Sequence, residues 1–232
     1  MTSYATASPL RPGNAIEVFV TGSTGYVGRS LVPALLARGH CVDALARPTS
    51  LASVPAGARP VAGDALDAAS FAAAIAPGAT LVHLVGTPHP NPSKAAEFER
   101  VDLASIRASV DAAGRAQAAH LIYVSVAQPA PLMHAYVAAR AAGEAAICAA
   151  GLTATILRPW YVLGPGHRWP ITLAPLYRLA EWLPGKRATA LRLGLVTLAQ
   201  MVRALVAAVE DPPPQGTRRV VDVPSIRAAA NR

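Results

Sequence analysis

The sequence has few residues that could cross-link the chain or bind a metal ion. Of its 232 residues only two are cysteines, Cys41 and Cys148, and its six histidines include no pair at metal-ligand spacing. A zinc site needs clustered thiolate, imidazole or carboxylate ligands, and disulfide-stabilised secreted domains are rich in cysteine. The sequence therefore excludes a disulfide framework, predicts no metal site and fits the reducing cytoplasm.

Charged residues are also scarce, at 15% of the chain, and are absent from residues 68–93 and 116–139. A bilayer span needs about 20 consecutive apolar residues, whereas prolines and polar side chains interrupt both stretches. Residues 1–14 lack the basic start and apolar core of a secretory signal. We therefore expect a soluble, cytoplasmic protein without a transmembrane segment, whose residues 1–14 are frayed or disordered.

Acidic residues are outnumbered, with 13 Asp and Glu against 21 Lys and Arg, which gives a formal net charge of +8. A basic protein gains affinity for nucleic acid by neutralising phosphates. Apart from the pairs Lys186-Arg187 and Arg218-Arg219, however, the arginines are scattered singly, and no aromatic residues interleave with a basic stripe. Nucleic-acid binding is therefore the weakest of the functional hypotheses, and the same positive field suits a phosphorylated cofactor.

The apolar residues alternate between strand and helix patterns. Right-handed strand–helix–strand units build a parallel sheet covered by helices on both faces. The sequence predicts an α/β fold with a doubly wound, mostly parallel Rossmann sheet. One domain is expected over residues 15–232, with a small substrate region within about residues 160–232. Strands are expected at residues 16–20, 41–46, 59–62, 80–85, 120–126, 153–157 and 219–223, and helices at 26–38, 67–76, 93–119, 134–150, 171–183 and 198–210.

Three glycines follow the first strand at a spacing of three residues, Gly22, Gly25 and Gly28. Gly22 allows a tight turn, Gly25 lets backbone amides approach a pyrophosphate, and Gly28 lets the helix pack closely on the strand. A helix N-terminus also favours an anion. Such a turn can be purely structural, but between a strand and a helix it predicts dinucleotide binding.

Arg47 follows the second strand, where an acidic residue would bind the adenosine ribose of NAD. An arginine there can pair with the 2′-phosphate of NADP. The alternative is a solvated arginine at a strand end. We predict NADP as the cofactor, with NAD as the second possibility.

Several motifs in order resemble the short-chain dehydrogenase/reductase superfamily. They are Gly63-Asp64, Val82-His83-Leu84-Val85-Gly86, Tyr123-Val124-Ser125, Tyr136 with Arg140 and Glu144, and Leu157-Arg158-Pro159 through Gly164-Pro165-Gly166. The resemblance is to the extended and atypical branches, which include NAD-dependent epimerase/dehydratase-like proteins and relatives of a respiratory complex I accessory subunit. It covers about residues 16–166.

The resemblance implies a nicotinamide-dependent oxidoreductase or epimerase-like enzyme acting on an unidentified small molecule. Tyr136 would be the general acid/base, Ser125 would bind the substrate oxygen, and Arg140 would fix the ribose. The residues expected to contact the cofactor are Gly22, Thr24, Gly25, Tyr26, Val27, Gly28, Arg47, Asp64, Ala65, Leu84, Val85, Gly86, Ser125, Tyr136, Arg140 and Pro159.

Two residues depart from the family pattern. Arg140 stands where the family has Lys, and Asp102 stands at a place where it often has Asn. Arginine can supply a cation and hydrogen bonds but does not readily give up a proton. The rival hypothesis is therefore a dinucleotide-binding regulator or accessory subunit without turnover, in which Tyr136 serves only in packing and Ser125 is a satisfied strand-end hydroxyl.

Overall fold

The computed structural model describes residues 15–130, 132–165 and 193–229, and it contains a seven-stranded parallel sheet. The strands of this sheet are β1 (Glu17–Thr21), β2 (Cys41–Ala46), β3 (Arg59–Ala62), β4 (Thr80–His83), β5 (His120–Val124), β6 (Ala154–Leu157) and β9 (Arg218–Val221). Their order across the sheet is β3-β2-β1-β4-β5-β6-β9. Two further strands, β7 (Tyr161–Leu163) and β8 (Leu195–Thr197), form a separate parallel pair. The predicted doubly wound α/β fold is confirmed.

Helices connect the strands and cover the sheet. The helices are α1 (Gly28–Ala37), α2 (Ala95–Glu97), α3 (Ala104–Arg115), α4 (His134–Ala149), α5 (Leu198–Glu210) and α6 (Val223–Ala228). A π-helical segment (Phe98–Leu103) joins α2 to α3 without a break. The predicted helix over residues 198–210 matches α5, whose capping box of Thr197 and Gln200 fixes its start.

Alternation along the strands divides the core into two layers. In β1, Val18 and Val20 pack with α1, α5 and α6, whereas Phe19 faces Phe71, α3 and α4 on the opposite side of the sheet. All three side chains are at most 2% exposed. A strand buried on both faces needs apolar residues at every position, which explains the continuous apolar run in the sequence.

One predicted helix is wrong. Residues 67–76 form two short 3₁₀ turns, Ala68–Ser70 and Ala72–Ala74. Asp67 caps the first turn, and the Ser70 hydroxyl bonds the carbonyls of Asp64 and Asp67. Phe71 then leaves the helical region with φ −140°. These local bonds compete with helix formation, so the alanines that favour a helix do not extend one here.

The long helix predicted over residues 93–119 is shorter than expected. Asn91 caps the 3₁₀ turn that precedes α2, because its side chain accepts the Ser93 amide at 3.0 Å. The chain leaves the helix after Arg115, and Gln117 takes a positive φ of 53°. Three predictions lie outside the described residues: the helix at 171–183, the fraying of residues 1–14 and the role of Gly166. The predicted substrate region lies only partly within the described residues.

The sheet has its topological switch at β1. Its two neighbours are β2 and β4, whose connections leave on opposite sides, and such switch points open a crevice at the carboxyl ends of the strands. Strands β4 and β5 end at His83 and Val124, two residues earlier than predicted. The segments that begin with Leu84 and Ser125 therefore leave the sheet at this edge.

Candidate active site and cofactor loop

The turn after β1 is shaped by backbone contacts that only glycine allows. Gly22 has φ +77°, and a Cβ there would lie 2.9 Å from the Leu84 carbonyl carbon. A Cβ on Gly28 would overlap the Gly22 carbonyl oxygen and lie 2.6 Å from the Ser23 carbonyl oxygen. Gly22 thus packs against the segment after β4, and Gly28 allows α1 to start directly against the turn.

The open end of α1 faces the crevice. Helical hydrogen bonding starts with the Arg29 amide on the Gly25 carbonyl at 3.0 Å, so the Val27 and Gly28 amides point out of the N-terminus. The first turn holds no acidic side chain to repel an anion. Gly25 is exposed and brings no side chain of its own beside these amides. This arrangement fits the diphosphate of a dinucleotide.

The strand end that carries Arg47 is tied to the same turn. The buried Ser23 hydroxyl donates to the Leu45 carbonyl at 3.0 Å, two residues before Arg47. Arg47 itself is exposed, directly beyond β2. Arg47 is therefore exposed at the carboxyl end of β2, the position from which it is predicted to reach the 2′-phosphate of NADP.

The remaining predicted cofactor residues lie along this edge. Asp64 and Ala65 follow β3, and the Asp64 carboxylate accepts the Leu66 amide at 2.9 Å. Leu84, Val85 and Gly86 follow β4 and are half-buried, as are Thr24, Tyr26 and Val27 in the turn. Pro159 is buried after β6, and its carbonyl accepts the Ala127 amide at 2.9 Å.

Arg140 lies at the centre of the candidate site, buried on α4. Its Nη2 donates to the Asp102 carboxylate at 2.6 Å, and its Nη1 donates to the Val124 carbonyl at 2.9 Å. A Cβ on Gly86 would overlap Nη2. Gly86 is therefore needed to admit the guanidinium, and Arg140 joins the ends of β4 and β5 to the π-helical segment.

Asp102 is fully buried and uses both of its carboxylate oxygens. Oδ1 receives Arg140, and Oδ2 accepts the Thr87 amide at 2.9 Å and the Thr87 hydroxyl at 2.5 Å. A buried charge requires a partner and hydrogen bonds of this kind. The carboxylate thus fixes the backbone just beyond Gly86.

Tyr136 lies one turn before Arg140 on the same face of α4. The guanidinium carbon is 5.1 Å from the Tyr136 ring centroid, and the Phe98 ring meets the tyrosine edge-on at 5.0 Å. Burial penalises the charge on Arg140, but nearby Tyr136, Tyr123 and Asp102 raise its pKa above the ordinary value. The site therefore holds a permanent cation against the tyrosine ring.

A second tyrosine lies beneath the guanidinium. The Tyr123 ring centroid is 5.7 Å from the Arg140 guanidinium carbon, and burial raises the pKa of Tyr123 to about 12 although Arg140 acts in the opposite direction. Its hydroxyl has no hydrogen-bond partner among the described residues. Tyr123 is therefore a neutral packing residue at physiological pH.

Ser125 is held by a different part of α4. Its hydroxyl donates to Glu144 Oε1 at 2.5 Å, and the same carboxylate accepts Gln128 Nε2 at 2.8 Å and Arg158 Nε at 3.0 Å. Glu144 lies two turns beyond Tyr136. Because an ionised carboxylate only accepts, Ser125 has lone pairs but no proton left for a further partner.

The structure thus brings Tyr136 and Arg140 together and attaches Ser125 to α4 through Glu144. Sequence reasoning missed that Asp102 pairs with Arg140, that Thr87 supports Asp102, and that Gln128 and Arg158 surround Glu144. The spacing of four residues from Tyr136 to Arg140 to Glu144 was the available signal, because it places all three on one helix face. The partners lie on other elements, so spacing could not identify them.

His83 is a buried core residue that forms hydrogen bonds. Its Nδ1 lies 3.1 Å from the Thr21 hydroxyl and 2.9 Å from that of Ser109. Within the described ranges no group of three or more His, Cys, Asp or Glu is placed to hold a metal ion. In the same part of the chain, no helix combines the length and apolar character that crossing a membrane requires.

Comparison with known proteins agrees with the prediction that the glycine turn after β1 binds a dinucleotide. Residues 22–171 match the model of a family described as NAD(P)H-binding. The chain belongs to this NAD(P)H-binding family. Its matched region begins at Gly22 and includes Asp102, Ser125, Tyr136 and Arg140, so these residues lie within the part that defines the family.

Individual relatives of this NAD(P)H-binding chain include enzymes of several reaction types. A ceramide reductase from Caulobacter vibrioides (strain NA1000 / CB15N) is 31% identical over 193 residues, 82% of this chain. The chain spans 60% of that relative's length.

Among solved structures, two illustrate the shared fold. A dTDP-glucose 4,6-dehydratase from Streptomyces venezuelae with bound NAD has a TM-score of 0.65 and 20% identity, covering 88% of this chain and 75% of that one. A UDP-N-acetylglucosamine 4-epimerase from Bacillus cereus has a TM-score of 0.66 and 15% identity, covering 89% and 77%. At these identities the likeness shows the Rossmann fold alone. Together with the family match, the comparisons show a nicotinamide-dinucleotide-binding chain with a Rossmann fold.

Proposed function

We propose that the protein is an NADP(H)-dependent oxidoreductase of the short-chain dehydrogenase/reductase type that interconverts a carbonyl and an alcohol. The observation that carries this proposal is the stacking of Tyr136 on the buried guanidinium of Arg140, at the edge of the sheet where the glycine turn opens. The 31% identity to a ceramide reductase favours carbonyl reduction over epimerisation or dehydration.

Tyr136 is the proposed acid/base. Arg140 places a positive charge against its ring, and the arginine remains charged throughout because it does not titrate in the physiological range. Tyr136 would give a proton to the substrate oxygen in reduction and take it back in oxidation, while bound NADP(H) supplies hydride chemistry at C4 of its nicotinamide. To bind the carbonyl oxygen, Ser125 would have to turn its hydroxyl proton from Glu144 to the substrate, because a carbonyl oxygen can only accept.

Tyr136→Phe tests this assignment. The variant keeps the ring against Arg140 and Phe98 but removes the proton, so we expect kcat to fall by about 10²–10⁴-fold, the usual contribution of general acid–base catalysis. NADPH oxidation would be followed with a panel of aldehydes and ketones that includes long-chain N-acylated amino ketones. NADPH affinity should stay within about threefold, because the phenol mainly acts on the substrate oxygen.

Phe98→Leu is the matched packing control. It removes the edge-on ring contact with Tyr136 and leaves the phenol, so most of the activity should remain. If the two variants lose turnover equally, Tyr136 acts through packing and the acid/base role is wrong.

Arg47 is the proposed ligand of the 2′-phosphate. It is exposed at the end of β2, beside a turn that Ser23 holds against that strand. A charge-assisted hydrogen bond to phosphate contributes about 1.5–3 kcal/mol. Arg47→Ala should therefore weaken NADPH binding by about tenfold to a hundredfold and leave NADH binding nearly unchanged.

Arg115→Ala controls for the loss of one positive charge. Arg115 is exposed on α3 and pairs with Asp111 one turn away, so its removal should not distinguish the two cofactors. Equal weakening of NADPH and NADH in Arg47→Ala would remove the 2′-phosphate assignment.

The second candidate function is a dinucleotide-binding regulator or accessory subunit. It is favoured by Arg140, whose Nη groups are both engaged by Asp102 and Val124 rather than directed to the crevice. This candidate predicts NADPH binding with no turnover across the panel, and Tyr136→Phe would then change nothing measurable.

A further inference from the structure

The two residues that depart from the family pattern contact one another. Asp102 and Arg140 are 38 positions apart in the chain, yet Arg140 Nη2 and Asp102 Oδ1 are 2.6 Å apart. The Arg140 side chain is 7% exposed, and the Asp102 side chain is 0% exposed. Asp102 in the π-helical segment thus forms an ion pair with the guanidinium of Arg140 on α4.

The shape of the guanidinium is what this pairing requires. Two of its nitrogens serve two acceptors on different elements, Asp102 on the π-helical segment and the Val124 carbonyl at the end of β5. A lysine ammonium is a single point charge. Opposite Asp102, it would be drawn toward the carboxylate and away from the Val124 carbonyl.

The carboxylate is equally specific to its partner. With Asn at position 102, the buried guanidinium would lose the charge that compensates it, and removing one member of a buried ion pair is strongly unfavourable. The amide group would also have to accept the Thr87 amide and hydroxyl through its single oxygen.

Asp102 is linked to Tyr136 through two neighbours of the tyrosine ring, Arg140 and Phe98. Through Arg140 it fixes the cation at 5.1 Å from the Tyr136 ring centroid. Its own π-helical segment supplies Phe98, which meets the same ring edge-on. π-helical segments inside α-helices are frequent at functional sites, and here the segment holds both groups against one tyrosine.

We propose that Asp102 and Arg140 are one unit, in which each residue is tolerated only with the other, and that Asp102 is a positioning residue acting through Arg140 on Tyr136. The pairing stands on the buried contacts alone. The action on Tyr136 rests on the function proposed above.

A double-mutant cycle tests the unit. The variants are Asp102→Asn, Arg140→Lys and the double variant, and the readouts are the urea unfolding midpoint and kcat with the best carbonyl substrate of the panel. Each single variant should lower the midpoint and reduce kcat by about tenfold or more. The loss of midpoint and of kcat in the double variant should be smaller than the two single losses combined, because each single variant already breaks the pair.

Losses that simply multiply in the double variant would overturn the unit. If Asp102→Asn does not fold, the cycle is run with Asp102→Glu in its place, and losses that simply multiply there overturn the unit as well. The midpoints need no turnover. If the protein reduces no carbonyl, the proposed function is wrong, but the unfolding midpoints still show whether Asp102 and Arg140 depend on one another.

Thr87→Val tests the positioning role without changing any charge. It removes one hydrogen bond to Asp102 Oδ2, so kcat should fall by about threefold to tenfold with KM within twofold. Asp111→Asn is the matched control, since Asp111 forms an exposed pair with Arg115 on α3, and it should leave kcat unchanged. An unchanged kcat in Thr87→Val would overturn the positioning role.

Discussion

Acidification to pH 5 should destabilise the protein through His83. This histidine is fully buried at the end of β4, and burial, followed by the charge of Arg140, lowers its pKa from 6.5 to about 3. Folding therefore favours the neutral imidazole. The stabilisation is present above the unfolded-state pKa near 6.5, and it is lost progressively as the pH falls toward about 3.

The magnitude follows from proton linkage. At pH 5 the unfolded chain protonates this histidine and the folded protein does not, which lowers the free energy of unfolding by about 2 kcal/mol relative to pH 7. His120 behaves alike, since burial lowers its pKa to about 4, and it adds about 2 kcal/mol. Together these losses are a large part of the 5–15 kcal/mol that is typical of folded domains.

Urea unfolding at pH 7 and at pH 5 measures the effect. In His83→Gln the side chain can still bond the Thr21 and Ser109 hydroxyls but does not titrate. The difference between the two pH values should therefore shrink by about 2 kcal/mol relative to the unchanged protein. If it stays the same, His83 is not held neutral by burial, and the physical account of the core beneath Arg140 is wrong.

Four further substitutions test packing around the site and in α3. Gly28→Ala should lower the free energy of unfolding by about 1–3 kcal/mol and weaken NADPH binding, because the added carbon overlaps backbone oxygens. Gly114→Ala meets nothing within 4 Å in α3 and should stabilise the protein by about 0.5–1 kcal/mol; similar urea midpoints for these two variants would contradict the close packing at Gly28. Tyr123→Phe removes a buried hydroxyl that forms no hydrogen bond of normal geometry among the described residues, so urea unfolding should show no loss of stability, and a loss above about 1 kcal/mol would show that its contact with Arg140 is stabilising. Glu144→Ala leaves Arg158 without its bidentate partner and should cost about 2–4 kcal/mol in the same assay, whereas a cost below about 1 kcal/mol would show that the segment after β5 does not depend on this carboxylate.

Much of the fold could be read from local patterns. The apolar run before Gly22 and the helical spacing after Tyr26 identify a strand and a helix through backbone geometry, which depends on neighbours in sequence. The exception at residues 67–76 has a local cause as well, since Ser70 and Asp67 bond the backbone and break the helix. That competition is invisible in an alanine-rich pattern.

The candidate site was only partly readable. Tyr136, Arg140 and Glu144 share a helix face by spacing alone, and the sequence marked them as a group. Asp102 was marked as a departure, but its contact with Arg140 depends on how the π-helical segment packs against α4. The direction of the Ser125 proton likewise depends on Glu144 approaching from another element.

The sequence by itself determined the strand–helix order, the glycine turn and the identity of the residues at the edge of the sheet, because these follow from backbone preferences over a few neighbouring positions. Only the tertiary structure decided which charges meet. Ion pairs and hydrogen bonds between Asp102 and Arg140, or Ser125 and Glu144, form across distances in the chain that no local preference encodes. Burial then sets their consequences, since the same side chains in water would interact weakly.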